Sequence, residues 1–145
     1  MPVSVVRRCK IAGVRVADVA AAARRILLAL GEADAELTIS LVNDAQIRRL
    51  NGAYRGKDRP TDVLAFAMRE GRRAPGDNAL LGDVVISVET AARQAEGRGA
   101  PIAQEVRILL IHAVLHLLGY DHERSVEEAR DMRAMEHRLQ KLLPE

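Results

Sequence analysis

Residues 101–122 read PIAQEVRILLIHAVLHLLGYDH, and the fold turns on this stretch. Ile102, Val106, Leu109, Leu110, Val114 and Leu117 spread apolar side chains over most of a helical circumference. A helix that apolar belongs inside a domain, so a buried central helix is expected over residues 101–118. Pro101 suits its first turn, where the missing N–H costs no hydrogen bond. Gly119 suits the left-handed turn that ends it. His112 and His116 lie four apart and share one helix face. Beyond the glycine the chain can fold back and bring His122 to the same point. An imidazole buried on such a helix needs a hydrogen-bond partner or a metal. Three imidazoles with one open position match the ligand count of a catalytic zinc site rather than a structural one. Magnesium and calcium prefer oxygen ligands and fit less well, whereas nickel or copper can take the same ligands in vitro.

Working outward, the other elements follow from residue type and spacing. Residues 3–6 form a β-branched run, read as the first strand, and Cys9 is read as a small buried hydrophobe in that strand. Residues 16–30 carry Ala and Leu at helical spacing, and Gly31 closes that helix. LTISLV, residues 37–42, alternates as a strand. Asn43 or Asp44 caps a helix running to about Tyr54, with Ile47 and Leu50 inward. Residues 55–62 are a polar loop, 63–68 a strand, and 70–78 a loop rich in turn residues. LLGDVVIS, residues 80–87, is a strand in which Gly82 marks a bulge or a close backbone approach. Helices are expected over 89–96 and, amphipathic through Val126, Met132, Met135, Leu139 and Leu142, over 123–143. The order β-α-β-α-β-β-α-α-α predicts a single α/β domain of α+β character. It has a small mixed sheet of about four strands covered by about five helices, with the metal site at the end of the central helix.

Composition narrows the function classes. The 145 residues suit one core, and a hydrophobic fraction of 48% with 29% charged residues is ordinary for a globular chain. Tyr54, Phe66 and Tyr120 are the only aromatics, which argues against a module that reads nucleic acid by stacking bases across an aromatic sheet. The net charge of +2 implies no polyanion partner by itself. Its distribution is uneven. Arg48, Arg49, Arg55, Lys57 and Arg59 crowd the middle, while carboxylates outnumber arginines over residues 121–136. That asymmetry predicts a two-sided surface, with two readings of its basic side: a face toward phosphates, or a plain solvated helix face and loop. A lone cysteine excludes an intrachain disulfide. No apolar run reaches the roughly 20 residues that span a membrane, and the N-terminal residues lack a signal-peptide pattern. A cytoplasmic location is the expectation.

The spacing HxxxHxxGxxH is that of metzincin zinc peptidases, with one difference. Their general-base Glu follows the first His directly, and here that position is Ala113. Three histidines still hold an ion that activates water, so the metal chemistry survives and the protease assignment does not. Among nearby residues, Asp121 either orients a histidine or caps the last helix. Glu105, two turns before His112, is a structural partner rather than a ligand. His137 is a surface residue and Tyr120 a packing one.

LNGAYRGKDRPTDVLAFAM (residues 50–68), LGDVVIS (81–87) and HAVLHLLGYDH (112–122) occur here in this order, and together they resemble the YbeY (UPF0054) family of bacterial rRNA maturation factors. The resemblance runs from residue 37 to the C-terminus. It implies a single-strand-specific, metal-dependent endoribonuclease, with zinc held by His112, His116 and His122. It also implies that Arg55, in the YR dipeptide, is functional; Arg55 and His116 are the catalytic candidates. The implied partners are single-stranded RNA, 16S rRNA during 3′-end maturation and quality control, the small ribosomal subunit and ribosome-associated proteins, with no membrane. Small departures stand out: Ala113 where Gly or Ser is common, Ala65 where Ser is, and Ala67 where Pro is. None removes a ligand or the arginine. Two alternatives use the same motif: a metallohydrolase of another substrate, and a non-catalytic ribosome-assembly factor with structural zinc.

Overall fold

The computed structural model describes residues 3–68 and 80–143; the expected loop over 70–78 lies outside them. The elements run β1 (Val3–Arg7), α1 (Val16–Ala29), β2 (Glu36–Val42), α2 (Asp44–Arg55), β3 (Val63–Ala67), β4 (Leu80–Ser87), α3 (Val88–Arg98), α4 (Ile102–Leu117) and α5 (Val126–Leu142). The order of elements agrees with the expected one. The sheet order is β1-β2-β4-β3, with β1, β2 and β4 parallel and β3 antiparallel to β4. The sheet is therefore mixed, and the chain is one α/β domain.

Strand alternation sorts residues between two unlike faces. Leu37, Ile39 and Leu41 of β2 and Val84 and Ile86 of β4 point to one side and are fully buried. There they join α1, α4 and the inner stripe of α5 in the main core. α4 lies at its centre: Val106, Leu110, Ile111, Val114 and Leu115 are all sealed from solvent. Among the described residues, the opposite face is only half covered. α2 seats Ile47 on Val42, Leu64 and Val85, with Leu50 and Phe66 at the margin. Thr38 and Ser40 of β2, paired with Asp83 and Val85 of β4, share that face.

Gly82 is both a bulge and a close approach. The β2–β4 register shifts between Glu36 and Leu37, which pair with Leu80 and Gly82. A Cβ on Gly82 would collide with the Phe66 carbonyl and lie 2.9 Å from a Leu117 methyl, and its φ of 155° is open only to glycine at low cost. The residue lets β3, β4 and the end of α4 come together. The expected proline after Phe66 is Ala67, whose neighbour Met68 still donates its N–H to the Leu81 carbonyl at 3.1 Å. With no proline, pairing carries on past the last strand residue.

Helix boundaries moved where side chains cap. Asn43 is the cap of α2, in a reciprocal box with Gln46, so Asp44 is the first helical residue. Arg55 belongs to the last turn of α2 rather than to the loop, and Gly56 (φ 69°) stops the helix directly after it. Ser87 accepts the Thr90 N–H, which starts α3 a residue earlier than expected, and Gly99 ends it. Pro101 sits just ahead of α4 as its cap residue. α5 begins at Val126, after Ser125 accepts the Glu128 N–H, and not at Glu123. Cys9 lies beyond β1 and is half-buried. Among the described residues no single helix is long and apolar enough to cross a membrane.

Candidate metal centre

The histidine cluster is assembled by one helix, one turn and one pinned loop. His112 and His116 project from the same face of α4. After Leu117 the chain leaves the helix through Gly119, at φ 100°. The Gly119 N–H donates to the His116 carbonyl and the Tyr120 N–H to the Leu115 carbonyl, both at 3.0 Å. These two bonds make a Schellman turn, and Tyr120 packs against the core as its apolar anchor. The next residues are held by Arg124, which donates to the Gly119 carbonyl at 3.1 Å and to the Asp121 carboxylate at 3.2 Å. The same carboxylate accepts the Glu123 N–H at 2.8 Å. His122 is thereby carried back toward α4.

One ligand atom from each of His112, His116 and His122 lies within 4.8 Å of the others. The ring centroids are 5.5 to 6.1 Å apart. At that spacing small side-chain rotations bring all three to a common ion, and the donor set suits a divalent ion that favours imidazole. The residues present therefore fit a metal.

Glu136, on α5, went unrecognised in the sequence. Its Oε2 lies 2.8 Å from His112 Nδ1. With the ring proton on Nδ1, His112 donates to this carboxylate and its Nε2 is left for a metal, the usual way a carboxylate orients a histidine ligand. The hydrogen bond from Glu136 raises the His112 pKa above its ordinary value, against the opposing effect of burial. His116 moves the other way: burial lowers its pKa, and neighbouring His112 adds to that. A clue lay in spacing. Met132, Glu136 and Leu139 recur at helical intervals, so this carboxylate borders the buried stripe of α5.

Asp121 does neither of the things expected of it. It neither caps α5, which Ser125 does, nor orients a histidine by hydrogen bond; it stabilises the loop that carries His122. Interaction with the Glu123 N–H and then Arg124 holds its pKa below the ordinary carboxylate range. Glu105 is 1% exposed and faces Arg98, whose Nε is 3.2 Å from Oε1, near enough for an ion pair but not aligned as a hydrogen bond. It stays outside the ligand cluster, as expected. His137 is exposed.

Arg55 joins the histidines in one cleft of about 720 Å³. α2 brings it there from the opposite side, its chain turned away at Gly56. The loop that follows is tethered by Asn51, whose buried amide donates to the Arg59 carbonyl at 3.0 Å. Asp62 also lines the cleft, with Gln94 donating to its carboxylate at 3.2 Å. Contrary to the two-sided expectation, the basic and acidic segments meet here. Arg55 of the basic segment shares the cleft with Asp121, Glu123 and Glu136 of the acidic one, and Arg98, Asp62 and Glu105 add further charges to its lining.

Comparison with known proteins decides the family. Residues 9–143 match the family described as Endoribonuclease YbeY. The chain belongs to the YbeY family. An Endoribonuclease YbeY of Geobacter metallireducens is 51% identical over 118 residues, covering 81% of this chain and 79% of that protein. One from Aquifex aeolicus is 48% identical over 111 residues, covering 77% and 72%. The solution structure of TM1509 from Thermotoga maritima superposes with a TM-score of 0.68 at 22% identity, covering 97% of this chain and 88% of that one. That likeness concerns the fold alone; the YbeY assignment rests on the family match and the sequence relatives. The HAVLHLLGYDH and AYRGKDRPTD blocks of this YbeY member are the two that converge on the cleft.

Proposed function

We propose that this YbeY member is a zinc-dependent endoribonuclease of single-stranded RNA. The observation that carries the reading is the convergence of His112, His116, His122 and Arg55 on one cleft. The three imidazoles hold the ion, and Glu136 keeps His112 in the tautomer that binds it. Zinc, when bound there, supplies Lewis acidity toward a phosphoryl oxygen and activates water near neutral pH. Arg55 offers a guanidinium fork to the scissile phosphate and stabilises the charge that develops on it. The flanking carboxylates of Asp62 and Glu136 draw a cation into the cleft and keep the phosphate to the arginine side. No carboxylate follows His112: Ala113 is buried against the core, which speaks against peptide hydrolysis.

The biological setting we propose is 3′-end maturation of 16S rRNA and ribosome quality control, on the small subunit in the cytoplasm. The family resemblance supports it. The test sets wild type beside Arg55→Ala and His116→Ala on one single-stranded RNA, with bound metal measured in each. His116→Ala is expected to stay folded and lose both zinc and cleavage. Arg55→Ala is expected to keep zinc and lose cleavage. Equal cleavage by all three proteins would mean contamination and refute the site. In cells, the same variants are expected to accumulate 16S precursors extended at the 3′ end.

A further inference from the structure

A second depression lies on the half-covered face of the sheet. This groove, about 650 Å³, runs beside α2. Thr38, Ser40 and Asp83 form its floor, and Arg8, Arg49 and Tyr54 rise along it. Tyr54 and Phe66 line the groove and the metal cleft alike, so the two depressions share a rim. The three aromatics of this chain are few in number but not scattered, since two meet at that rim. Their ring centroids are 5.4 Å apart at 65°, an edge-to-face contact that steadies the Tyr54 ring without covering it. Tyr54 remains 70% exposed.

Charge marks the same path. Among the described residues, Arg8, Arg49 and Arg55 have no carboxylate within ion-pair distance. Arg48, by contrast, is held by Asp58 at 2.8 Å, and Arg93 by Asp44 at 2.8 Å. Three cations without a carboxylate partner thus line the groove and cleft, and what marks the groove is their place beside Tyr54, since other arginines elsewhere on the surface also lack an ion pair. Asp83, on the floor, excludes phosphate from the bottom and leaves it to base edges, together with the Thr38 and Ser40 hydroxyls.

We infer that this groove binds the single-stranded RNA flanking the cleavage point, with one base stacked on Tyr54 and the backbone phosphates led past Arg49 and Arg8. The inference rests on the ribonuclease reading and extends its substrate beyond the metal cleft. Stacking on an exposed ring requires an unpaired base, because a paired base already has both faces covered by its neighbours. It tolerates any sequence, because every base has a π face. Strand state would then be read at Tyr54, one step from the metal.

The test uses zinc-loaded full chain and a 2′-O-methyl single strand of about 12 nucleotides, followed by fluorescence anisotropy. Tyr54→Ala is expected to weaken binding about tenfold, while Tyr54→Phe stays within about twofold of wild type. Arg49→Gln is expected to lower the slope of log affinity against log salt by about 0.7. Zinc content is expected to be unchanged in all three, and melting temperature in Tyr54→Phe and Arg49→Gln; Tyr54→Ala loses its edge contact with Phe66 and is expected to melt slightly lower while staying folded at the assay temperature. Wild-type affinity in both Tyr54→Ala and Arg49→Gln would overturn the groove. So would an equal loss in Tyr54→Phe, which would put the effect on the hydroxyl and not on stacking. A parallel cleavage assay on unmodified RNA separates the failures. Cleavage by wild type with normal binding by the groove variants removes only this inference, whereas no cleavage by wild type removes the ribonuclease reading and the groove with it.

Discussion

The two faces of the sheet are built from alternate residues of the same strands, yet they do different work. On the inner face, Ile39 sits against α1 and α4 with no solvent contact. One residue earlier, Thr38 points to the outer face and lines the open groove. The inner face holds α4 rigidly, and α4 aims two histidines. The outer face gives up burial and keeps polar and cationic side chains available. α2 bridges them: its apolar side closes half the outer face, and its last turn carries Tyr54 and Arg55 to the edge of the metal cleft. Rigidity and accessibility are thus divided between faces, and the candidate site lies where they meet.

The widest contrast between the faces is expected from adjacent substitutions. Ile39→Ala should cost about 2–5 kcal/mol, since the sealed site cannot refill. Thr38→Ala should stay within about 1 kcal/mol. Urea unfolding of both variants measures the difference, and similar losses would mean that the outer face is closed in solution. Gly82→Ala comes next, at about 1–3 kcal/mol, through its backbone conformation and the approach of Phe66. Because Leu117 is also close, that variant should loosen metal binding as well as the fold.

Glu136→Gln tests whether α5 takes part in the metal centre. Zinc affinity should fall about 10- to 100-fold in competition with a chelator, with the fold retained. The metal-free protein adds a sign. The folded-state pKa of His112 is raised, so the stability it contributes is fully present below the ordinary histidine value of about 6.5 and is lost as pH rises through the raised value. The melting-temperature gap between metal-free wild type and Glu136→Gln should therefore be wider at about pH 5.5 than at about pH 8.5. A gap that grows with pH would contradict the assigned hydrogen bond.

The smallest effect is expected at Asp44. Its carboxylate accepts from Ser87 at 2.6 Å, Thr90 at 2.7 Å and Arg93 at 2.8 Å, joining the starts of α2 and α3. Partial burial alone would raise its pKa, but these three donors take it below the ordinary value. Asp44→Asn should cost about 1 kcal/mol at neutral pH. Because the folded pKa is depressed, the difference should vanish as the solution is acidified through it.

Much of this was legible in the chain. LTISLV and LLGDVVIS show their strands by alternation and β-branching, and α4 by its apolar run ended at Gly119. Element ends were less legible where short polar side chains compete to cap. Asn43 and Asp44 are both able caps, and only the reciprocal bond with Gln46 separates them. Likewise nothing in residues 121–125 distinguishes Asp121 from Ser125 until Arg124 is seen to bind Asp121. Of the candidate site, His112 and His116 were readable because i, i+4 spacing on a helix is a local property, and His122 because Gly119 lets the chain turn back within a few residues. Glu136 was not, because it faces His112 from an element 24 residues away in sequence.

The sequence by itself determined the order of elements, the buried central helix and the candidate histidine cluster of HAVLHLLGYDH, since each follows from periodicity and backbone preference within a few residues. Only the tertiary structure decided that α5 would present Glu136 to His112. It also brought the basic and acidic segments into one cleft, and left half of a sheet face open beside Tyr54. Those outcomes depend on how α2 and α5 pack on the sheet and on α4, and packing is set by the summed burial of distant residues rather than by any local pattern.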